Sequence, residues 1–574
     1  MSWYLLVVLG YLVALGIFNF IRAKQVKSHD DFMVAGRSLP LTVMVFTLVC
    51  TWIGSGTFIA GAEYAAKAGW SSLWMPAGAW VGIAIIYFLA GKIRTFGQYT
   101  VGDILEVRYG KFARLFGAIA LIIAFTTIVS YQFRAGGYIL NVVTKGAISV
   151  ATGQAITAFF VITFTAIGGM VAVAHTDLPN GIIILLACCI ALPLVVAFAG
   201  GPSAPAEILP AEHMAVFSRD FGQYPVLKAG GYFLATLLLL LGIQSMYQKF
   251  YSARSPREAR TAVALWIVGT IVVETVVVAI AIYAAAAHWP QIEAFQLAGR
   301  VKQEVAAGTL APERAAQRAA ALVEEAAAEG QLTASQAETT RRILVESFAG
   351  ATTREAIGRA EPGIDPASIV LRAAEDIASR GGIGLLSGLL LLGAACAVVI
   401  STGMNYLLSP TTNIMRDIWQ KFLDPEIPDE KMVALQKVFV VLVGLVAFLA
   451  IFVPTYFGLP ISVLRYSYFA YTMYGVAITP ALLAALAWKR ATRQGGLASI
   501  VSGAFMALLF ELVIPNAFPG VLQGGDPWGI PSIYPSALVS IGTLVIVSYL
   551  TPPPSREELA PLFEQEPARS ESAG

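Results

Sequence analysis

Apolar runs long enough to cross a bilayer recur along the chain, at 3–22, 40–66, 72–91, 115–143, 155–174, 178–199, 229–248, 262–287, 384–408, 432–453, 461–487, 496–515 and 535–551. A helix needs about 20 such residues to span the hydrocarbon, so the pattern predicts thirteen transmembrane helices. Assigning the connections alternately to two sides tests the count. With the N-terminus outside, the inner connections and the C-terminal tail carry 22 Lys and Arg, against four on the short outer connections, Lys67, Lys145, Arg219 and Lys228. A missed helix would swap the sides beyond it and erase the bias, so the positive-inside rule predicts an N-out, C-in protein.

Two features break this regular pattern. The first is the connection 288–383, rich in Ala, Glu and Arg as in "APERAAQRAAALVEEAAAEG", whose spacing predicts amphipathic helices with turns near Gly330 and Pro362. The chain then divides into a first membrane part (1–287), this extracytoplasmic insertion (288–383), a second membrane part (384–551) and a cytoplasmic tail (552–574). For the insertion, a lid, a cap for a partner protein and a passive addition are all open. The second feature is "TWIGSGTFIAG" at 51–61, which places Gly54, Ser55 and Gly56 inside the second run. An interrupted helix frees carbonyls and amides that lipid cannot satisfy, so it is tolerated only where protein, water or an ion takes them up. The interruption marks a candidate binding site.

Composition narrows the class. The 574 residues are 57% hydrophobic and 13% charged, with a mean hydropathy of +0.71, values of an all-α polytopic membrane protein embedded in a lipid bilayer. A net charge of +2 with no basic cluster gives no footing for nucleic-acid binding. Cys50, Cys188, Cys189 and Cys396 lie in apolar runs without metal-like spacing. The first run lacks a basic leader and a small-residue cleavage site and is followed by Arg22, Lys24 and Lys27, so it reads as a retained helix.

Four stretches, "DFMVAGRSLP" (31–40), "TVGDILEVRYG" (100–110), "GGMVAVAHTD" (168–177) and "AVVISTGMNYLLS" (397–409), occur in the order and spacing of the sodium/solute symporter family, which the chain resembles over about 30–490 apart from the insertion. That family includes importers of sugars, amino acids, carboxylates and vitamins. The resemblance implies a leucine-transporter-like fold, with two inverted five-helix repeats over runs 2–6 and 7–11, and binding sites at mid-depth where the first helix of each repeat is broken.

The residues at the break agree with a cation site. Unwinding at Gly54–Gly56 releases the carbonyls of Cys50 and Ile53, and in the ninth run Val398, Ser401 and Thr402 share one helix face. Together they offer five neutral oxygens, a set that suits one small monovalent cation and lacks the carboxylates of a calcium or magnesium cage. By resemblance this is the family's shared sodium (Na+) site. Back-bonding of Ser401 and Thr402 to the preceding turn is the alternative. Some relatives hold a second ion with two further hydroxyls and an acid. Asp177 matches the acid, but Met404 and Asn405 stand at the hydroxyl positions, so one sodium per cycle is expected. Asp177 is expected near the cytoplasmic surface, either capping the sixth helix or receiving sodium on its inward exit.

For the solute, Arg134 lies inside the fourth run, where an arginine needs a polar cavity or a partner. It reads equally as a carboxylate ligand or as the ion-pair partner of Glu274 in the eighth run. Thr57 matches a solute-contacting position of relatives, Gln244 sits at a disturbance after Gly242 in the seventh run, and Tyr471 belongs to an aromatic wall that is either a gate or simple packing. Relatives place a polar residue where Trp52 stands, which implies a bulkier pocket. The expected function is sodium-coupled import of a small organic solute, with carboxylates as a candidate class, across the cell inner (plasma) membrane. A solute sensor that retained the transporter fold is the alternative, with the insertion as its docking surface, although a tail of about twenty residues leaves no room for an output domain. No constellation of an enzyme stands out in the sequence.

Overall fold

The computed structural model describes residues 3–24, 28–96, 98–360, 362–456 and 462–563. Lys27, and the part of the tail that contains Arg569, lie outside the described residues. Among the described residues, eleven helices are long and apolar enough to cross a membrane. The surface is apolar as well as the core. Large apolar side chains such as Phe88, Val268, Leu386 and Leu538 face outward, while Asp177, Gln244, Lys249 and Ser401 are buried. That arrangement is what a hydrocarbon solvent selects, because polar groups then need partners inside the bundle.

The difference between thirteen apolar runs and eleven helices lies in where chain direction and helix continuity part company. Runs 155–174 and 178–199 fall in one helix, Val150–Ala199, bent at Gly169 (φ 53°, ψ −157°). Only glycine is at ease in that conformation, and a Cβ there would stand 2.7 Å from the Phe32 ring. Run 40–66, in contrast, is divided. The helix Leu41–Trp52 ends at Ile53 in extended geometry, and the chain resumes as a wide π-type turn, Gly56–Gly61, followed by Ala62–Ala68. The chain then turns at Gly69 (φ 63°, ψ −143°) and a 3-10 turn, Gly69–Leu73, into Trp74–Phe96, so the second half of run 2 and run 3 follow one another in one near-continuous helical stretch of 41 residues, Gly56–Phe96.

A second division occurs in the seventh run. Pro225–Gly242 and Gln244–Ser252 are separated by Ile243 in extended geometry (φ −63°, ψ 116°). The Tyr474 hydroxyl donates to the Gly242 carbonyl at 2.7 Å and accepts from the Gln244 amide at 3.0 Å, so one side chain satisfies both backbone groups that the interruption exposes. Tyr474 is fully buried on Val463–Ala477.

The insertion begins as an extension of the eighth run. Pro256–Ala306 is one helix with a bend at His288, two residues before Pro290, whose missing N–H and ring bulk disturb the preceding turn. Helices Ala315–Ala328, Ala334–Phe348, Arg354–Arg359 and Ile369–Ser379 follow. The first two are separated by Gly330 at φ +76°. The last packs against the start of Gly382–Asn413, where a Cβ on Gly388 would run into the Ala374 carbonyl and the Ala378 methyl. Asp365 reaches into the bundle and accepts a hydrogen bond from Tyr138 at 2.9 Å.

The motif at 100–110 is a structural lock. Thr100 and Asp103 form a capping box at the start of Val101–Tyr109. Arg114 holds Asp103 (2.8 Å), Glu106 (2.5 Å) and Asp417 (2.6 Å) together. Burial alone would raise the Glu106 carboxyl, but Lys421 and Arg114 outweigh it and hold its pKa below the ordinary value.

Candidate functional site

The interruption at Gly54 is filled from the ninth run. The Thr402 hydroxyl lies 2.9 Å from the Cys50 carbonyl and 3.1 Å from the Ile53 carbonyl, the two oxygens that unwinding frees. Gly54 permits the approach, since a Cβ there would stand 2.7 Å from Thr402 Cγ2 and 3.1 Å from its hydroxyl oxygen. On the far side the Ser55 amide donates to Gln132 at 3.2 Å. Val398 is fully buried one turn before Ser401 and Thr402. Thus Thr402 does not back-bond along its own helix; its hydroxyl crosses to the broken one.

Ser401 points elsewhere, donating to Asp177 Oδ1 at 2.5 Å. Asp177 Oδ2 accepts from Thr47 (2.5 Å) and the Asn405 amide (3.1 Å), and its backbone carbonyl faces the Cys50 thiol at 3.3 Å. This corrects the expectation of a cap: Asp177 is fully buried eight residues past the bend at Gly169, with no helix start at its position to cap. Asp177 and Thr402 therefore belong to adjoining parts of one polar core, linked through Ser401. Asn405, in the sequence only a mismatch to a hydroxyl, holds the acid through its amide and presents its oxygen to Lys249 Nζ at 2.5 Å. Lys249, counted from sequence among the cytoplasmic charges, is buried to 1% exposure. Its ammonium also lies 3.1 Å from the Met170 sulfur. Thr47 and Lys249 were missed by sequence reasoning; the only signals were a hydroxyl inside the second apolar run and a charge just past the seventh.

The solute candidates disperse around the break. Tyr471 is buried with its hydroxyl over Gly56, where a Cβ would approach it to 2.7 Å, and beside the Tyr131 hydroxyl. Thr57 is half-buried in the wide turn, its amide bonded to the Gly54 carbonyl at 3.0 Å. Gln244 is not at this break. Its side-chain oxygen accepts from the Val101 amide at 2.5 Å, tying the second break to the 100–110 lock. Arg134 is not paired with Glu274. It donates to Thr455 (2.9 Å) and Tyr138 (3.2 Å), while its Nε has no hydrogen-bond partner. Glu274 instead accepts from two indoles, Trp52 Nε1 at 2.9 Å and Trp80 Nε1 at 2.6 Å.

The family model described as "Sodium:solute symporter family" matches residues 32–325 and 376–503, leaving out the middle of the insertion. The chain belongs to the sodium:solute symporter family. Among curated members it is 29% identical over 198 residues to the high-affinity proline transporter PutP of Bacillus subtilis (strain 168), covering 32% of this chain and 40% of that protein. It is 29% identical over 187 residues to the sodium/pantothenate symporter of Escherichia coli (strain K12), covering 31% and 38%. The matched part therefore spans about two fifths of the length of these relatives. A solved structure of a substrate-bound, outward-open Na+-coupled sialic acid symporter superposes with a TM-score of 0.68 at 15% identity, over 97% of this chain and 99% of that one. The two share a fold. Membership of this family and the membrane-length helices make it a multi-pass membrane protein.

Proposed function

We propose that this symporter-family protein imports a small organic solute across the cell inner membrane, driven by sodium, through alternating access. The observation that carries the reading is the Thr402 hydroxyl seated between the Cys50 and Ile53 carbonyls. With the Val398 carbonyl and the Ser401 oxygen, whose proton is turned to Asp177 and leaves its lone pairs for an ion, these oxygens would make up the expected shell for one Na+, and the ion would take over from the Thr402 proton as the positive partner of the two carbonyls. Sodium then ties the broken helix to Gly382–Asn413, and its escape past Asp177 lets them part. One ion per cycle suits the Asp177 cluster, because the Asn405 amide and the Lys249 ammonium already stand where a second cation would need free oxygens.

The leucine-transporter-like layout of thirteen helices, N-out and C-in, is supported by the two interruptions, at Gly54 and Ile243, which fall in runs 2 and 7, the first of each inverted five-helix repeat. Thr57, Arg134, Tyr471 and Gln244 are the proposed solute-path residues. Arg134, with a free Nε–H, is the group that would read a carboxylate. One positive charge moving through 100 mV contributes about 2.3 kcal/mol, enough for roughly fifty-fold accumulation of a neutral solute. The test is uptake of labelled solutes, carboxylates first, into sealed proteoliposomes under an inward sodium gradient. Accumulation that collapses when potassium replaces sodium is expected; accumulation indifferent to that exchange, or binding without flux, overturns the reading.

A further inference from the structure

We infer that the solute carries a protonated amine and that Glu274 is the group that holds it, an inference that rests on the transport reading and names the solute class for it. Glu274 is 4% exposed near the middle of the eighth apolar run. Among the described residues no Lys, Arg or His forms an ion pair with it, and Arg134, its partner on one of two equal sequence readings, is held by Thr455 and Tyr138. A carboxylate in the membrane interior without a cation is unstable unless it is neutralised or receives one.

The hydrogen bonds decide between those options. Each carboxylate oxygen accepts from a different indole, Oε1 from Trp52 and Oε2 from Trp80. An ionised carboxylate accepts at both oxygens and keeps further lone pairs, whereas a protonated acid, although it can still accept from both indoles, adds an O–H that needs an acceptor, and both groups seen against it are donors. The two donors favour the ionised form, and it lacks a positive partner. Sodium is a poor candidate for that partner, because indole N–H groups donate only and supply no oxygen to a hard cation. An organic ammonium is a good one: its N–H groups suit the remaining lone pairs, and the indole faces attract cations.

Position places this carboxylate at the solute site. Trp52 is the last residue of Leu41–Trp52, two residues before Gly54. Glu274 is also within electrostatic reach of the Tyr471 hydroxyl that overlies Gly56. Beside the break, the Ser55 and Thr472 hydroxyls are buried without partners. The same bulk at Trp52 that departs from relatives thus has a use, holding an acid at the mouth of the break.

The test uses purified full-length protein in nanodiscs with sodium present and four-carbon probes: butylammonium, 4-aminobutyrate, butyrate and erythritol. Tryptophan emission should respond saturably to the two amines and not to butyrate or erythritol. Glu274→Gln should weaken both amines about 10- to 100-fold, the loss that follows from removing a charge-assisted hydrogen bond. The comparison among probes on the unaltered protein stands even if that variant folds poorly. Butyrate or erythritol binding as well as the amines overturns the inference. So does amine affinity unchanged in Glu274→Gln, or no saturable response to either amine up to about 50 mM. Amine binding without sodium-driven accumulation would retire the transport reading and leave this one standing; sodium-driven accumulation of a solute without an amine would do the reverse.

Discussion

Gly54→Ala isolates the contact on which the ion site depends. The new methyl would lie 2.7 Å from Thr402 Cγ2 and 3.2 Å from its Cβ. A β-branched side chain on a helix has little rotamer freedom with which to retreat, so the two helices must separate by some tenths of an ångström. Overpacking of that kind costs about 1–3 kcal/mol. Losing the hydroxyl bridge leaves the Cys50 and Ile53 carbonyls buried and unbonded, at about 1–3 kcal/mol each. The lower entropy of the unfolded alanine chain returns only about 0.4–1 kcal/mol. Net destabilisation of roughly 2–9 kcal/mol is expected. The decisive assay is sodium-dependent thermal stability in detergent or nanodiscs, with potassium at equal ionic strength as reference. A ligand at 100 times its Kd stabilises by about 2.7 kcal/mol, and Gly54→Ala should lose that increment as well as basal stability. Thr402→Val, nearly isosteric, should lose the sodium increment with less basal cost, and Thr402→Ser should keep it. A Gly54→Ala protein that retained the original sodium midpoint would refute the placement of the ion between these helices.

Other perturbations reach other parts of the argument. Lys249→Met removes the nearest ammonium from the Asn405–Asp177 cluster and should lower stability by about 3–5 kcal/mol, with Lys249→Met/Asp177→Asn recovering part of the loss; additive losses in a double-mutant cycle would show that the two groups are uncoupled. Gly169→Ala forces a side chain into a glycine-only conformation against Phe32, at roughly 1–3 kcal/mol from backbone strain alone, readable as a fall in thermal midpoint. Because Lys421 and Arg114 depress the Glu106 carboxyl, its stabilising contribution is complete above the ordinary carboxylate pKa and lost as pH falls through the depressed value. Acid titration of thermal stability should therefore lose a component in Glu106→Gln, and an unchanged acid limb would count against the lock.

How much of this was legible beforehand depends on the range of the interaction. The capping box at Thr100 and Asp103 spans three residues, and the motif that contains it stood out directly. The Gly54–Gly56 interruption stood out because three helix-weakening residues in an apolar run conflict with local propensity. Placing Thr402 opposite it required the family resemblance as well as the helical spacing of the ninth run. The division of the seventh run at Ile243 was only hinted at by Gly242, since the residue at the break is itself apolar and the group that repairs it, Tyr474, comes from another helix.

The sequence by itself determined that the chain lives in a bilayer, where its apolar runs fall, and that the second run is interrupted, because hydropathy and helix propensity act over neighbouring residues and leave a periodic trace. Tertiary structure alone decided the partners. Asp177 meets Ser401 across 224 positions and Glu274 meets Trp52 across 222. A polar side chain in an apolar run announces that it needs a partner, but hydrogen bonding at 3 Å carries no trace in the chain between. That is why Arg134 and Glu274, for which an ion pair and separate roles read equally well from the sequence, turn out to be held by different helices.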